Sequence, residues 1–290
     1  MTLKLTRRGF GLMGLSMTLL ALPGSGFAAT PGFANTGLLV EPEDVADQED
    51  LVLIDVRKAE EYAAGHIPGA VQLDPDAVAT GHSPVTGALR QVTEIEQLLG
   101  RLGVTAAKRV VFYDDRGGFH AARMLWLLEY LGHRNVALLN GGLAAWRTAG
   151  FPLSAETTAN PETDFAAALS PRRIATADDV LQRRSDPDSI LIDVRPQKLY
   201  AEGHVPWAVN IPWGGNLDAD KRFLPAGDLQ AHFARFGVTA ERKIIMHCQT
   251  GLASSHSYVA LRLLGFPRLQ VYHRSWAEWG SDPDLPKAIG

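Results

Sequence analysis

The chain has 290 residues, of which 46% are hydrophobic and 21% are charged, and its formal net charge is -4. This length is enough for one large domain or two ordinary ones, each with a full hydrophobic core. The composition is that of an ordinary soluble globular protein, and the slightly acidic charge argues against a nucleic-acid partner.

The N-terminal segment has the layout of a secretory signal peptide. Lys4, Arg7 and Arg8 precede an apolar stretch at 10–22, and small residues follow it up to Ala28. The paired arginines are typical of the twin-arginine route, which exports folded proteins to the periplasm. We therefore predict a signal peptide at 1–28 and a mature periplasmic protein without stable membrane association. An uncleaved anchor is the alternative, although the apolar stretch is shorter than the roughly 20 residues that span a bilayer.

The remaining chain contains an internal duplication. Residues 53–57 return as 191–195 and residues 62–68 return as 200–206, displaced by the same number of positions. Residues 110–114 also align with 244–248. A repeat this long indicates two tandem domains instead of a short-period solenoid. We predict domains at 37–153 and 171–290, joined by a linker at 154–170 that is rich in Ala, Thr, Glu and Pro.

Each copy alternates short β-branched runs with helical segments. Strands are predicted at 51–56, 109–113 and 136–139, and the apolar spacing at 121–131 predicts a buried helix. This alternation predicts an α/β fold in which each domain is a mostly parallel sheet flanked by helices. Ligands of such sheets bind at the carboxyl ends of the strands.

Cys248 is the only cysteine, which excludes an internal disulfide and a cysteine-rich metal site. It follows the apolar run 244–247 and opens a loop of small residues before a predicted helix. Backbone N–H groups and the positive end of a helix can stabilise a thiolate in that position. The pattern favours a nucleophile, and a buried packing cysteine or an accidental surface thiol are the alternatives.

Several motifs together resemble the tandem-domain rhodaneses, which are thiosulfate or 3-mercaptopyruvate sulfurtransferases. The motifs of the first copy are at 55–57, 65–70 and 140–146, and those of the second copy are at 203–206, 248–251 and 275–280. They cover nearly all of the chain from about residue 37, so the match is more specific than any single motif. The resemblance implies that the first domain is catalytically silent, because Asp114 stands where the second copy has its cysteine.

The resemblance also implies a mechanism. Cys248 would take sulfur from a small donor as a persulfide and pass it to a thiol, to cyanide or to an acceptor protein, without a metal or an organic cofactor. The active-site loop would direct backbone N–H groups at the terminal sulfur, and it consists of Gln249, Thr250, Gly251, Leu252, Ala253 and Ser254. A periplasmic sulfur carrier loaded by partner proteins is the main alternative, and an inactive redox or scaffold protein is a third.

Three residues near the cysteine are predicted to support the loop. Asp193 and Arg195 form an Asp-Val-Arg motif that recurs in the silent copy, so a structural ion pair is expected. His247 is interpreted as a locally packed strand-end residue, with a proton shuttle as the alternative. A His-Cys pair also suggests a cysteine phosphatase, but Ser254 stands where that class has its phosphate-binding arginine.

The loop carries no fixed positive charge for an anionic donor. Thiosulfate-type members of the family commonly have Arg and Lys after the cysteine and mercaptopyruvate-type members have Gly-Ser, whereas this chain has Gln249 and Thr250. Arg274, Phe119 and His120 are therefore candidate substrate-binding residues. Their alternatives are a solvated loop cation, a core aromatic and a helix-start residue.

Overall fold

The computed structural model describes residues 32–46, 48, 50–81 and 85–290, so the predicted signal peptide at 1–28 lies outside it. Two parallel sheets, one from each copy, form an α/β protein with helices on both faces of each sheet. Within the described ranges, no helix is long and apolar enough to cross a membrane.

The first sheet has five strands in the order β1-β5-β4-β2-β3, and all neighbours are parallel. The strands are β1 Leu39–Val40, β2 Leu51–Asp55, β3 Val71–Gln72, β4 Arg109–Tyr113 and β5 Val136–Leu139. The helices of this half are α1 Pro42–Ala46, α2 Ala59–Ala64, α3 Val92–Arg101, α4 Ala121–Tyr130 and α5 Gly142–Thr148. Strands β4 and β5 match the predicted bounds, and β2 ends one residue earlier than predicted.

The second sheet has four parallel strands in the order β7-β6-β8-β9. The strands are β6 Ser189–Asp193, β7 Ala208–Asn210, β8 Lys243–His247 and β9 Leu269–Val271. The helices are α6 Ala177–Gln182, α7 Gln197–Glu202, α8 Ala226–Ala234, α9 Leu252–Leu263 and α10 Ser275–Trp279. Short 3-10 helices lie at Thr36–Leu38, Pro171–Arg173, Arg183–Ser185 and Trp213–Asn216. The central strands β4 and β8 are equivalent, as the repeat predicts.

The two halves share one continuous hydrophobic core. Helix α4 is buried at every position from Ala121 to Glu129, because one side covers its own sheet and the other packs against α9 of the second half. A helix that is apolar all round is expected in such a position. The outer face of each sheet has a smaller core of its own. The helices α4 and α9 therefore form the centre of the interface between the halves.

The linker runs along the surface of the first half. Backbone N–H groups of Thr163, Ala168 and Ser170 donate to carbonyl oxygens of the first half at 3.0, 2.8 and 2.7 Å. At the end of this segment, the indole of Trp126 donates to the carbonyl oxygen of Arg173 at 2.9 Å. These bonds satisfy polar backbone groups that have no strand partner, and they connect the linker to helix α4.

Candidate active site

Cys248 lies directly after strand β8 and four residues before the start of helix α9. This is the carboxyl end of a central parallel strand, where sheets of this class bind their ligands. The side chain is only 3% exposed and contributes to the shared core. The strand, loop and helix arrangement that the sequence predicts around the cysteine is confirmed.

The loop bends back so that one of its own N–H groups meets the sulfur. Gly251 N–H donates to Cys248 Sγ at an N to S distance of 3.1 Å. Gly251 has φ +87°, a left-handed conformation that glycine adopts without strain. A Cβ there would lie 2.7 Å from Nη1 of Arg123 and closer still to the carbonyl oxygen of His273. Only glycine therefore fits at this position.

Two serine hydroxyls lie near the sulfur and have different roles. Ser254 Oγ lies 3.6 Å from Cys248 Sγ, and Ser275 Oγ lies 3.9 Å from it. The Ser275 hydroxyl donates its proton to the carbonyl oxygen of Tyr272 at 2.8 Å and accepts the Cys248 N–H at 3.0 Å. Since a hydroxyl has one proton, Ser254 is the donor to sulfur and Ser275 fixes the backbone.

Helix α10 holds the beginning of the loop from the opposite side. The N–H groups of Trp276 and Ala277 donate to the carbonyl oxygens of Cys248 and Gln249 at 3.0 and 2.9 Å. These are first-turn donors that a helix leaves unpaired. The side chain of Gln249 is exposed, whereas Thr250 and Leu252 are half-buried and Ala253 is buried. The loop backbone is thus fixed at both ends while its outer side chains remain accessible.

The positive charge that the loop lacks comes from the first half. Arg123 of helix α4 is 2% exposed, and its guanidinium donates to the carbonyl oxygen of Thr250 at 3.1 Å and to that of Gly87 at 2.7 Å. Burial lowers the pKa of Arg123 to about 10, and interaction with Cys248 opposes that shift. The side chain therefore remains charged at neutral pH beside the cysteine loop.

Arg123 is not among the site residues predicted from the sequence, although a signal for it exists. A buried arginine in the first turn of a mostly apolar helix is unusual unless its charge is used. The aligned position in the second copy is His256, whose Nε2 contacts the carbonyl oxygen of Gly117 at 3.0 Å. Gly117 is in turn the aligned position of Thr250. Each copy therefore sends one polar side chain to the other copy's loop.

Asp193 and Arg195 form the buried ion pair that the sequence predicts. The guanidinium of Arg195 donates to both carboxylate oxygens of Asp193, at 2.6 to 3.0 Å, and to the carbonyl oxygen of Gly203 at 2.7 Å. Asp55 and Arg57 repeat this arrangement in the first half, which has no cysteine. Because it occurs with and without a thiol, the pair supports the turn instead of reacting.

His247 is buried on the face of the sheet opposite the cysteine side chain. Its Nε2 lies 3.6 Å from Asp193 Oδ2, and its Nδ1 lies 3.4 Å from the carbonyl oxygen of Cys248. Burial lowers the pKa of His247, with Asp193 opposing the shift. Successive strand residues point to opposite faces, so these contacts favour local packing over a proton shuttle.

The three predicted substrate-binding residues are dispersed. Phe119 contacts Trp213 of the second half, with ring centroids 5.0 Å apart, and therefore lies at the interface as expected. His120 precedes helix α4 as its N-cap, and burial lowers the pKa of its ring. Arg274 lines an interface cleft of about 520 Å³, but its guanidinium pairs with Glu278 at 2.9 Å. Their roles toward substrate stay predictions.

The first copy shows how the equivalent loop binds an anion. Asp114 occupies the position of Cys248, and its buried carboxylate accepts hydrogen bonds from four N–H groups of the loop and the start of helix α4. The donors are Arg116, Gly118 and His120 at 2.8 Å and Ala121 at 3.1 Å. Such a nest of N–H groups is a general anion-binding arrangement. In the first copy, the bound anion is the carboxylate of Asp114 itself.

Comparison with known proteins agrees with this architecture. The model of the rhodanese-like domain matches residues 41–149 and again residues 176–282. A thiosulfate sulfurtransferase of Azotobacter vinelandii is 36% identical over 265 residues, which are 88% of this chain and 98% of the relative. A 3-mercaptopyruvate sulfurtransferase of Escherichia coli K12 is 31% identical over 261 residues, 83% of this chain and 92% of the relative.

Two further similarities extend the range of relatives. The sulfur carrier protein TtuD of Thermus thermophilus is 32% identical over 284 residues, 89% of this chain and 99% of the relative. The structure of an anaerobic ergothioneine biosynthesis enzyme from Chlorobium limicola has a TM-score of 0.82 and 25% identity, covering 89% of this chain and 71% of the other. The chain belongs to the rhodanese family, with two rhodanese-like domains, and it is a rhodanese-type sulfurtransferase.

Proposed function

We propose that the protein moves sulfane sulfur from a small donor to a thiophilic acceptor through a persulfide on Cys248. The thiolate attacks the outer sulfur of the donor and forms a sulfur–sulfur bond. The bond between that sulfur and the rest of the donor breaks. With thiosulfate, its electron pair leaves on sulfite. With 3-mercaptopyruvate, the pair leaves on the enolate of pyruvate, which takes up the proton of the donor's thiol group. A thiol or cyanide then attacks the terminal sulfur and restores the thiolate.

The observation that carries this proposal is the hydrogen bond from Gly251 N–H to Cys248 Sγ, with Arg123 behind the same loop. A backbone donor and a buried cation both stabilise negative charge on the Cys248 sulfur. They also stabilise negative charge that develops on the transferred sulfur. A purely structural cysteine would require neither of these groups.

Asp114 gives an internal comparison for the intermediate. The terminal sulfur of a cysteine persulfide and the carboxylate oxygen of an aspartate are both three bonds from Cα. The carboxylate of Asp114 is bound by four N–H groups of its loop. The equivalent loop of the second copy has its own series of N–H groups from Thr250 to Ser254. This equivalence supports a persulfide anion bound in the second loop, with the negative charge where the first loop binds its carboxylate.

A sulfur carrier is the second candidate function. Cys248 is only 3% exposed, and the loop side chains that face outward carry no charge for a small anionic donor. One relative is itself named a sulfur carrier protein. Under this alternative, partner proteins load and unload the Cys248 persulfide.

Intact-mass measurement after incubation with thiosulfate or 3-mercaptopyruvate tests the proposal. We expect the wild type to gain one sulfur atom and to lose it rapidly to cyanide or a small thiol. Cys248→Ser should gain none, and wild type alkylated beforehand serves as the matched control for the same site. Loading that requires a cellular protein fraction would favour the carrier. Sulfur uptake by Cys248→Ser would contradict both.

We also propose that the protein works in the periplasm after twin-arginine export. The basis is the sequence of residues 1–28 alone. Cell fractionation of the wild type and of an Arg7→Lys, Arg8→Lys variant tests this, and equal periplasmic amounts of both would contradict the route.

A further inference from the structure

A second polar cleft lies between the halves at the other end of the helix pair. The N-terminal part of α4 reaches the cysteine loop through Arg123, whereas the C-terminal parts of α4 and α9 meet where Glu129 pairs with Arg262 at 2.7 Å. At a rise of about 1.5 Å per residue, α9 separates the two regions by roughly 18 Å. The cleft has a volume of about 440 Å³, which is within the usual range for small-molecule sites.

The cleft has a large surplus of positive charge for a chain whose net charge is -4. Its charged lining comprises five arginines and one glutamate, namely Arg109, Arg134, Arg172, Arg173, Arg262 and Glu129. Two helix C-termini supply roughly half a negative charge each. Together with Glu129 they offset about two of the five positive charges, and Asp44, which interacts with Arg109, offsets a third. The cleft therefore retains a surplus of about two positive charges.

The carboxylate of Glu129 already pairs with groups of the protein itself. Burial by itself would raise the pKa of Glu129, but its bonds to Arg262 and the nearby Arg173 outweigh burial and lower it. Tyr258 also donates to this carboxylate. Arg134 and Arg172 are exposed, and within the described residues no hydrogen bond or ion pair engages either guanidinium. The two guanidinium groups that face the cleft are thus available to a ligand.

We propose that this cleft is a binding site for a small molecule with a doubly charged oxyanion group of the sulfate or phosphate type. Planar guanidinium groups bind such oxygens in pairs. Arg134 belongs to the first half and Arg172 to the start of the second. A bound oxyanion would therefore bridge the halves at the end of the helix pair remote from Cys248.

Titration calorimetry with inorganic sulfate and with adenosine monophosphate, at ionic strength held constant with sodium chloride, tests the site. We expect saturable binding that is weakened at least tenfold in an Arg134→Ala, Arg172→Ala variant. The control is Arg147→Ala, Arg268→Ala, which removes two exposed arginines outside the cleft and gives the same net charge. This control should bind like the wild type.

The two probes distinguish the source of the oxyanion. Tighter binding of adenosine monophosphate indicates a group carried on a small organic molecule, and equal binding indicates a free ion. No saturable binding, or an equal loss in the control variant, would overturn the proposal. Because Cys248 and its loop are unchanged in all three proteins, loss of binding cannot be attributed to the active site.

Discussion

Arg123 supplies to the cysteine loop a charge that no residue of the loop carries. Its two hydrogen bonds also connect the loop to Gly87 of the first half. The sequence predicted Cys248 and its loop, because the strand, the small residues and the helix are adjacent in the chain. It could not predict Arg123 as a partner, since only the packing of α4 against α9 brings that residue to Thr250.

Replacing Arg123 with methionine should change the charge preference of the thiol. We expect the ratio of alkylation rates with anionic iodoacetate and neutral iodoacetamide to fall by roughly fivefold, or ~1 kcal/mol of electrostatic attraction. Sulfur transfer from anionic donors should fall with it. The rates are measured by intact mass over time at pH 7.

Two controls accompany this substitution. Arg123→Lys retains the charge, so the ratio should be largely restored even if the loop is less well held. Arg116→Met removes an exposed arginine of the loop after Asp114 and should leave the ratio unchanged. An Arg123→Met protein that folds and retains the wild-type ratio would contradict the electrostatic role.

At the scale of elements, the two strand–loop–helix units differ in the length of the loop. Helix α4 begins seven residues after Asp114, whereas α9 begins four residues after Cys248. The sequence offset between the two copies is one position smaller at the C-terminal ends of these helices than at the strands that precede them. The first loop is therefore one residue longer. The alignment of the two copies predicted that the units are equivalent. It did not predict the four N–H groups around Asp114, because their positions depend on backbone angles.

Strand prediction succeeded for the central strands and failed at the edges. The runs at 109–113 and 136–139 are apolar because helices cover both faces of the sheet, so their bounds can be taken from composition. Strands β1 and β3 have two residues each. Such short edge strands exist because a neighbouring strand pairs with them, and no local pattern marks them.

Gly251→Ala should damage the active loop. The left-handed φ of +87° and the contacts of a Cβ with Arg123 and the His273 carbonyl oxygen both oppose the substitution. We expect a loss of about 1 to 3 kcal/mol in the free energy of unfolding, and at least a tenfold loss of persulfide formation. Urea unfolding and intact mass are the measurements.

The matched control is Gly227→Ala in helix α8, an exposed position where a Cβ meets nothing within 4 Å. Alanine is the better helix former, so this variant should be as stable as the wild type or up to about 1 kcal/mol more stable. Wild-type sulfur loading by Gly251→Ala would show that the Gly251 geometry is not needed.

For the whole molecule, buried neutral histidines should make the fold sensitive to acid. Burial lowers the pKa of His256 to about 4 and that of His273 to about 3. Asn216 donates to Nδ1 of His256, and Gly117 accepts from its Nε2, so the ring is held in one neutral tautomer. Protonating this ring would remove the bond to Asn216.

These pKa values determine the direction in which the free energy of unfolding changes with pH. Above about pH 7.5, one unit over the ordinary histidine pKa, the ring is neutral in both the folded and unfolded states, so its contribution does not vary with pH. As pH falls toward 4, only the unfolded state takes up the proton, and the folded state loses relative stability. Between pH 7.5 and 4.5, His256 alone should cost about 2 to 3 kcal/mol.

His256→Gln keeps a donor near the carbonyl oxygen of Gly117 without a group that titrates. Its free energy of unfolding, measured with urea at pH 7.5 and 4.5, should therefore decline less than that of the wild type. Between pH 7.5 and 8.5, the free energies of unfolding of the wild type and the variant should change in parallel, which serves as the control. Parallel losses on acidification would contradict the assignment of acid sensitivity to His256.

Arg123 and His256 each contact the loop of the other copy across the interface, and this reciprocal arrangement has an evolutionary consequence. Each copy extends one side chain of its central helix to the loop of the other, and the aligned residues Glu129 and Arg262 meet each other. Two identical single-domain chains joined in this way, each with the cysteine and the arginine, would form a homodimer with two complete sites. Gene fusion frees one copy from that constraint. One thiol can then be lost without loss of activity, provided that the copy without it keeps the arginine its neighbour needs.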